Sequence, residues 1–182
     1  IGLGIPAEPL FRSRSIFAGG YSGNTNTVDV YNTSLTKSSA TKLSTYRWKS
    51  SSATVGNYAL ICGGCKNSGD TATNVTDAYN TSLTRSTQSS LGVARCDMAS
   101  TAVGEYALFC GGSTTGSSGS SYYSNYTDAY NTSLVREAPA ALSNKISYIH
   151  NAGGTVGNYA LIWGGVTSTD SYSDVAEVYT VS

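Results

Sequence analysis

The chain has 182 residues, enough for one domain with a sizeable core. Only 12% of them are charged and the formal net charge is zero, so nothing points to electrostatic attraction to nucleic acid or an anionic membrane. No apolar run approaches the ~20 residues of a membrane helix, and the 40% of hydrophobic residues fall in regular runs that argue against disorder.

The chain opens at Ile1 in mid-pattern, as expected of a processed or excised piece or of one whose start is missing. Residues 1–14 hold Pro6 and Pro9, which break a central ladder, so no inner strand is recognisable there. Ser15-Ile16-Phe17-Ala18 then runs into Gly19-Gly20. The same ending returns in full at Val55-Gly56-Asn57-Tyr58-Ala59-Leu60-Ile61-Cys62-Gly63-Gly64. It returns again from Val103 to Gly112 and from Val156 to Gly165, so the glycine pairs step by 44, 48 and 53 residues. Each full copy reads as a Gly-Asn or Gly-Glu hairpin turn feeding a strand buried on both faces.

A second anchor is Tyr31-Asn32-Thr33-Ser34-Leu35, copied at 79–83 and 130–134 and degenerate at Val178-Tyr179-Thr180. Most length variation lies between glycine pair and tyrosine, in segments 21–27, 65–74, 113–125 and 166–173, all rich in Ser, Gly, Asn and Tyr. A constant frame with one elastic segment is what stacked supersecondary units with a variable surface loop produce. The units run over about 1–43, 44–91, 92–142 and 143–182, the first and last incomplete.

Each unit reads as four short strands, and no segment has a helical period. In the third unit they are predicted near 95–103, 106–110, 126–130 and 135–140, with Asn131-Thr132-Ser133 as a side-chain-bonded turn. Strand two is the least polar, as for a strand between neighbouring sheets. Strand four is the most polar, as for an outer edge.

These features resemble kelch repeats: an apolar run into Gly-Gly, a variable loop, and a Tyr-Asn pair where Tyr-Asp is usual. The Gly-Asn-Tyr-Ala-Leu and Tyr-Asn-Thr-Ser-Leu copies are most similar to bacterial and phage-like kelch-type repeats. Trp48 falls near the kelch tryptophan, whereas Cys96 takes that place in the third unit. The resemblance covers roughly residues 15–182 and implies an all-β, kelch-type β-propeller of about four four-stranded blades. Four such blades form a compact ring, a half-ring completed by another chain, or a piece of a longer protein. An open set leaves apolar flanks that drive association, so a homo-oligomer completing the propeller is among the expected partners.

Arg47 aligns with Arg95, and Lys49 with Asp97, at the start of strand one; Tyr148 and His150 lie in the same region of the last unit. In a propeller these could form a polar mouth for a carbohydrate or small anion. The alternative is that the arginines cap turns and pair with nearby carboxylates. Asp29, Asp77, Asp128 and Glu177 recur just before the repeat tyrosine, which fits a structural role better than catalysis. Tyr21, Tyr122, Tyr123, Tyr126 and Tyr172 sit in or beside the variable loops, the composition of adaptable recognition surfaces. Cys62-Gly63-Gly64-Cys65 has half of a zinc spacing with no second pair, so Cys62 and Cys110 read as small buried residues. A disulfide among Cys62, Cys65, Cys96 and Cys110 is not readable from the sequence.

No cofactor and no metal are expected. The lone His150 disfavours the copper-oxidase activity of some kelch-type propellers, which needs two histidines. Non-catalytic recognition of a protein or glycan through the loops between strands two and three is the first expectation. A mutarotase-like sugar-converting enzyme with axial arginines and a purely structural self-assembling unit are the alternatives. The low-charge, Ser/Thr/Tyr-rich surface leans towards an extracellular or virion setting.

Overall fold

A computed structural model describes residues 13–21, 25–66, 71–115, 122–147, 152–167 and 171–180. The fold is all-β, and every strand pairing is antiparallel. In the first sheet β1 (Arg14–Ala18), β2 (Val28–Asn32) and β3 (Lys37–Ser39) pair in that order. In the second, β4 (Ser51–Val55) and β5 (Tyr58–Cys62) form a hairpin about Gly56 and Asn57. A small ladder of β6 (Cys65–Lys66) and β7 (Thr71–Ala72) follows. Then β8 (Thr76–Asn80) and β9 (Arg85–Gln88) complete the order β4-β5-β8-β9.

The third sheet repeats this order with β10 (Ala99–Val103), β11 (Tyr106–Cys110), β12 (Thr127–Asn131) and β13 (Arg136–Glu137). Next come β14 (Ile146–Ser147), β15 (Gly153–Val156), β16 (Tyr159–Trp163), β17 (Val166–Thr167) and β18 (Ala176–Thr180). Of these, β15, β16 and β18 make the fourth sheet, while β14 pairs with β17. The first-strand position of sheet one and the outer position of sheet four are not filled among the described residues.

The predicted strand over 95–103 begins only at Ala99, because Asp97 takes a left-handed φ of 55° that breaks an extended run. The chain there instead bridges Cys96 to Ser113. Lys49 has the same φ of 55° in the second unit, beside the Trp48–Cys65 bridge. The Asn turns behave as their chemistry dictates. Asn32 Oδ1 accepts from Ser34 N and Thr36 N, Asn80 Oδ1 from Ser82 N and Thr84 N, and Asn131 Oδ1 from Ser133 N and Val135 N.

Alternation along the strands gives each sheet two faces. The trailing face carries Ala59, Ile61 and Tyr79 in sheet two, and it packs on Val28, Val30 and Leu43 of the first unit. The leading face carries Val55, Leu60, Cys62 and Ala78, and it packs on Met98, Ala107, Phe109 and Tyr130 of the third unit. The third unit meets the fourth in the same way, with Val103, Leu108, Cys110 and Ala129 against Ala160 and Ile162. Burial on both faces is why β5 and β11 are apolar throughout, whereas β3, β9 and β13 stay wet and polar.

The repeat tyrosines lock these contacts with hydrogen bonds to the preceding unit. Tyr79 Oη donates to Thr41 O at 2.8 Å, Tyr130 Oη to Ser89 O at 2.7 Å, and Tyr179 Oη to Ala140 O at 2.9 Å.

Glycine is required where the sheets approach through backbone. At Gly63 φ is +60°, and an added Cβ would lie 2.3 Å from Arg95 O and 2.7 Å from Met98 Cε. Gly157 has a similar φ of +56° but nothing within 4 Å. Gly157→Ala is therefore expected to cost only the left-handed backbone, ~1 kcal/mol. Gly63→Ala, which must also push neighbouring sheets apart, is expected to cost about 3–5 kcal/mol. Urea unfolding of both variants, run side by side, measures the difference.

Candidate functional site

The connections into sheets two and three carry the charged candidates. Arg47 and Arg95 are buried, and their guanidinium groups point into the end of the sheet each one leads into. Arg47 Nη2 donates to Ile61 O at 3.0 Å and pairs with Asp77 at 2.9 Å. Arg95 Nη1 donates to Gly111 O at 2.5 Å and Tyr126 O at 2.7 Å, and its Nη2 pairs with Asp128. On the other side of each carboxylate stands an arginine of the outermost strand, Arg85 at 2.9 Å from Asp77 and Arg136 at 2.5 Å from Asp128.

The recurring acid is engaged in every unit, with partners that differ. Asp77 also accepts from Ser44 N and Ser44 Oγ, and Asp128 from Gly92 N. Glu177 takes Ser143 N and Oγ, and Asp29 takes Lys37 Nζ at 2.8 Å. Each acid thus ties its own third strand to a neighbouring connection or to the outermost strand. The structure corrects the expectation of an arginine-lined mouth: Arg47 and Arg95 are engaged in internal ion pairs and offer nothing to a ligand.

Lys49 and Asp97, from successive connections, do meet, with Nζ 3.2 Å from the carboxylate. Lys49 Nζ also stands 4.6 Å over the Trp48 ring, whose edge-on neighbour at 4.7 Å is Tyr21 of the first variable loop. Tyr21, Trp48, Lys49 and Asp97 therefore form one chain of contacts across three units. Tyr122 is exposed, but Tyr123 is buried and bridges to Ser113, which removes it from the recognition set. Tyr148 and His150 lie outside the described residues.

All four cysteines are free and buried. Burial pushes the Cys62 and Cys110 thiols up to about 12, so they stay protonated and sit in the leading-face cores as small apolar groups. The Cys96 thiol is also raised, first by a hydrogen bond with the Cys65 thiol and then by burial. Among the described residues no three His, Cys, Asp or Glu side chains converge as metal ligands.

The variable loops gather at one end. Each follows strand two and precedes strand three, so it lies beside the connection that begins strand one. The Trp48–Cys65, Cys96–Ser113, Thr71–Thr115 and Ser124–Ile146 bridges join loops and connections into a continuous face. Tyr21, Tyr122, Tyr126 and Tyr172 are exposed on it. Exposure of Tyr21 and Tyr172 was signalled by their Ser/Gly neighbours; the contact of Trp48 with Tyr21 was not, since Tyr21 comes from another unit.

No protein-family model and no curated protein matches the chain. Solved structures do match, among them the structure of YjhT, with a TM-score of 0.70 at 16% sequence identity. That match covers 86% of this chain and 50% of YjhT, so the chain spans half the length of this structural neighbour. The likeness is one of fold: an all-β array of antiparallel sheets.

The ion pairs make stability depend on pH. Burial alone would raise the Asp77 carboxyl, but the Arg47 guanidinium and the hydrogen bonds from Ser44 and Arg85 outweigh it and hold the pKa below the usual range. A carboxylate depressed on folding stabilises above its unfolded pKa of ~3.9, and that stability is lost as pH falls through the folded value. Asp77→Asn is expected to destabilise by about 3–5 kcal/mol at pH 7, where it leaves Arg47 buried without its counter-charge. The gap to the unsubstituted chain should narrow below pH ~4, as urea unfolding from pH 7 to pH 3 would show.

Proposed function

We propose that the chain is a non-catalytic, kelch-type β-propeller module that recognises a protein or glycan through the loops between the second and third strands of its blades. The observation that carries this reading is the row of exposed tyrosines, Tyr21, Tyr122, Tyr126 and Tyr172, on one end of an otherwise repeating frame. Tyrosine offers a large, stiff, amphipathic contact surface at small entropic cost, and the surrounding Ser, Gly and Asn supply adaptable hydrogen bonds. The four sequence units, their stacked antiparallel sheets and the fold likeness to YjhT support the propeller reading.

Two features favour recognition over sugar conversion. Arg47 and Arg95, which an axial enzyme site would need, are closed into ion pairs with Asp77 and Asp128. The Lys49–Asp97 pair beside the loops is internally matched and mostly covered, with Asp97 buried. A face of this kind selects partners by stacking and hydrogen bonding, so its binding should depend weakly on salt.

Binding to an array of neutral and sialylated glycans and to immobilised extracellular protein domains tests the reading. A partner retained at about 0.15 M salt is expected, and Tyr126→Ala with Tyr172→Ala should weaken it about tenfold or more without shifting the melting temperature. Binding unchanged by these substitutions, or no partner on either panel, would contradict the proposal.

A further inference from the structure

The repeat supplies its own control for what covers a sheet face. The leading-face position of Val156 is held by Val55 and Val103 in the inner units, where the following unit leaves them 3% and 1% exposed; Val156 itself is 60% exposed. Trp163 is 57% exposed where Cys62 and Cys110 are fully covered. Val178 is likewise exposed where Ala78 and Ala129 are buried. With Tyr159, these residues make an apolar leading face on sheet four that no described unit covers.

The trailing face of sheet one shows the converse. Phe17 is exposed at the position where Ile61, Phe109 and Ile162 are buried against a preceding unit. Phe17 packs edge-on against Tyr31 at 5.8 Å. Together with Ser15, Asp29 and Leu35 they line a groove of about 450 Å³. Ser15 stands where the other sheets place Ala59, Ala107 and Ala160, so a small residue holds this position in all four.

We infer that the leading face of sheet four docks on the trailing face of sheet one of a second copy of this chain, and that two copies close head to tail. Leading-on-trailing packing is the contact this sequence already makes between each pair of adjacent units, so the two faces are complementary by construction. They also differ where a knob and a hole are needed. Trp163 projects where the inner units carry cysteine, and the groove beside Phe17 and Tyr31 occupies the matching place on the other flank. By the same registry, sheet four meets the sheet-one groove through β16, as β5 and β11 meet their neighbours. Asp29 gives the groove an acceptor for the indole N–H.

The stoichiometry of two follows from size and symmetry. One chain overlays half of YjhT, so two chains supply a sheet array of that chain's length. A closed pair forms two identical junctions and leaves neither flank exposed, whereas a single junction would leave one of each.

Sedimentation equilibrium of the 182-residue chain at about 100 μM, where even a micromolar junction is populated, is the test. The expected mass is twice the 18.9 kDa chain. Trp163→Asp and Phe17→Asp, both at exposed sites and checked for an unchanged far-UV spectrum, should each give the single-chain mass. If Trp163→Asp perturbs the spectrum, Val178→Lys takes its place on the same face; if Phe17→Asp does, Leu35→Lys takes its place on the sheet-one groove. An equimolar mixture of the Trp163 and Phe17 variants retains one intact junction and should associate where neither does alone. A monomeric unsubstituted chain, variants that keep the double mass, a mixture that stays monomeric, or a mass growing beyond two chains would each overturn the inference.

Discussion

The spacing of the sheets rests on a backbone contact. The second glycine of the first three doublets donates its N–H to the carbonyl of the residue that leads into the next unit: Gly20 to Arg47 at 3.1 Å, Gly64 to Arg95 at 2.9 Å and Gly112 to Ile146 at 2.8 Å. The first glycine turns the chain through a left-handed φ, and at Gly19 and Gly63 an added Cβ would fall 2.2 and 2.3 Å from that same carbonyl. A side chain there would push consecutive sheets apart and separate the apolar faces they share. The doublet therefore does more than end a strand, because it sets the distance at which one unit docks on the next.

Charge is used inside this frame. The same connection residue that receives the glycine N–H projects, in two units, a guanidinium onto the carboxylate of its own third strand. Connection, third strand and outermost strand are thereby held at one point, leaving the segment between strands two and three as the stretch free of that lock. In the fourth unit Ile146 replaces the arginine and joins the apolar cluster, while Glu177 accepts from Ser143. The backbone bond survives this exchange, which places it deeper in the hierarchy than the ion pair.

Much of this was legible in the sequence because it is local and periodic. The hairpins, the Asn turns, the buried second strands and the polar outer strands follow from short-range chemistry repeated at fixed steps. What was not legible is what joins distant residues. Arg47 and Asp77 carry no spacing signal that pairs them, so a polar mouth and an internal ion pair read alike until the fold brings the acid to the connection. Tyr123 resembles its exposed neighbour Tyr122 in sequence, yet its backbone bridges to Ser113 and its side chain is buried. The first strand of each inner unit starts later than its apolar pattern implies for a related reason: the left-handed turns at Lys49 and Asp97 carry no glycine to mark them.

The most direct measurement is native-state hydrogen exchange at the doublet amides. Gly20, Gly64 and Gly112 should be protected well beyond loop amides and exchange together with the strand cores they join. Gly165, for which the described residues supply no such carbonyl, should exchange faster. Exchange of Gly64 and Gly112 at the rate of the surrounding loops would mean that the sheets are not held by this contact, and the account of their spacing would be wrong.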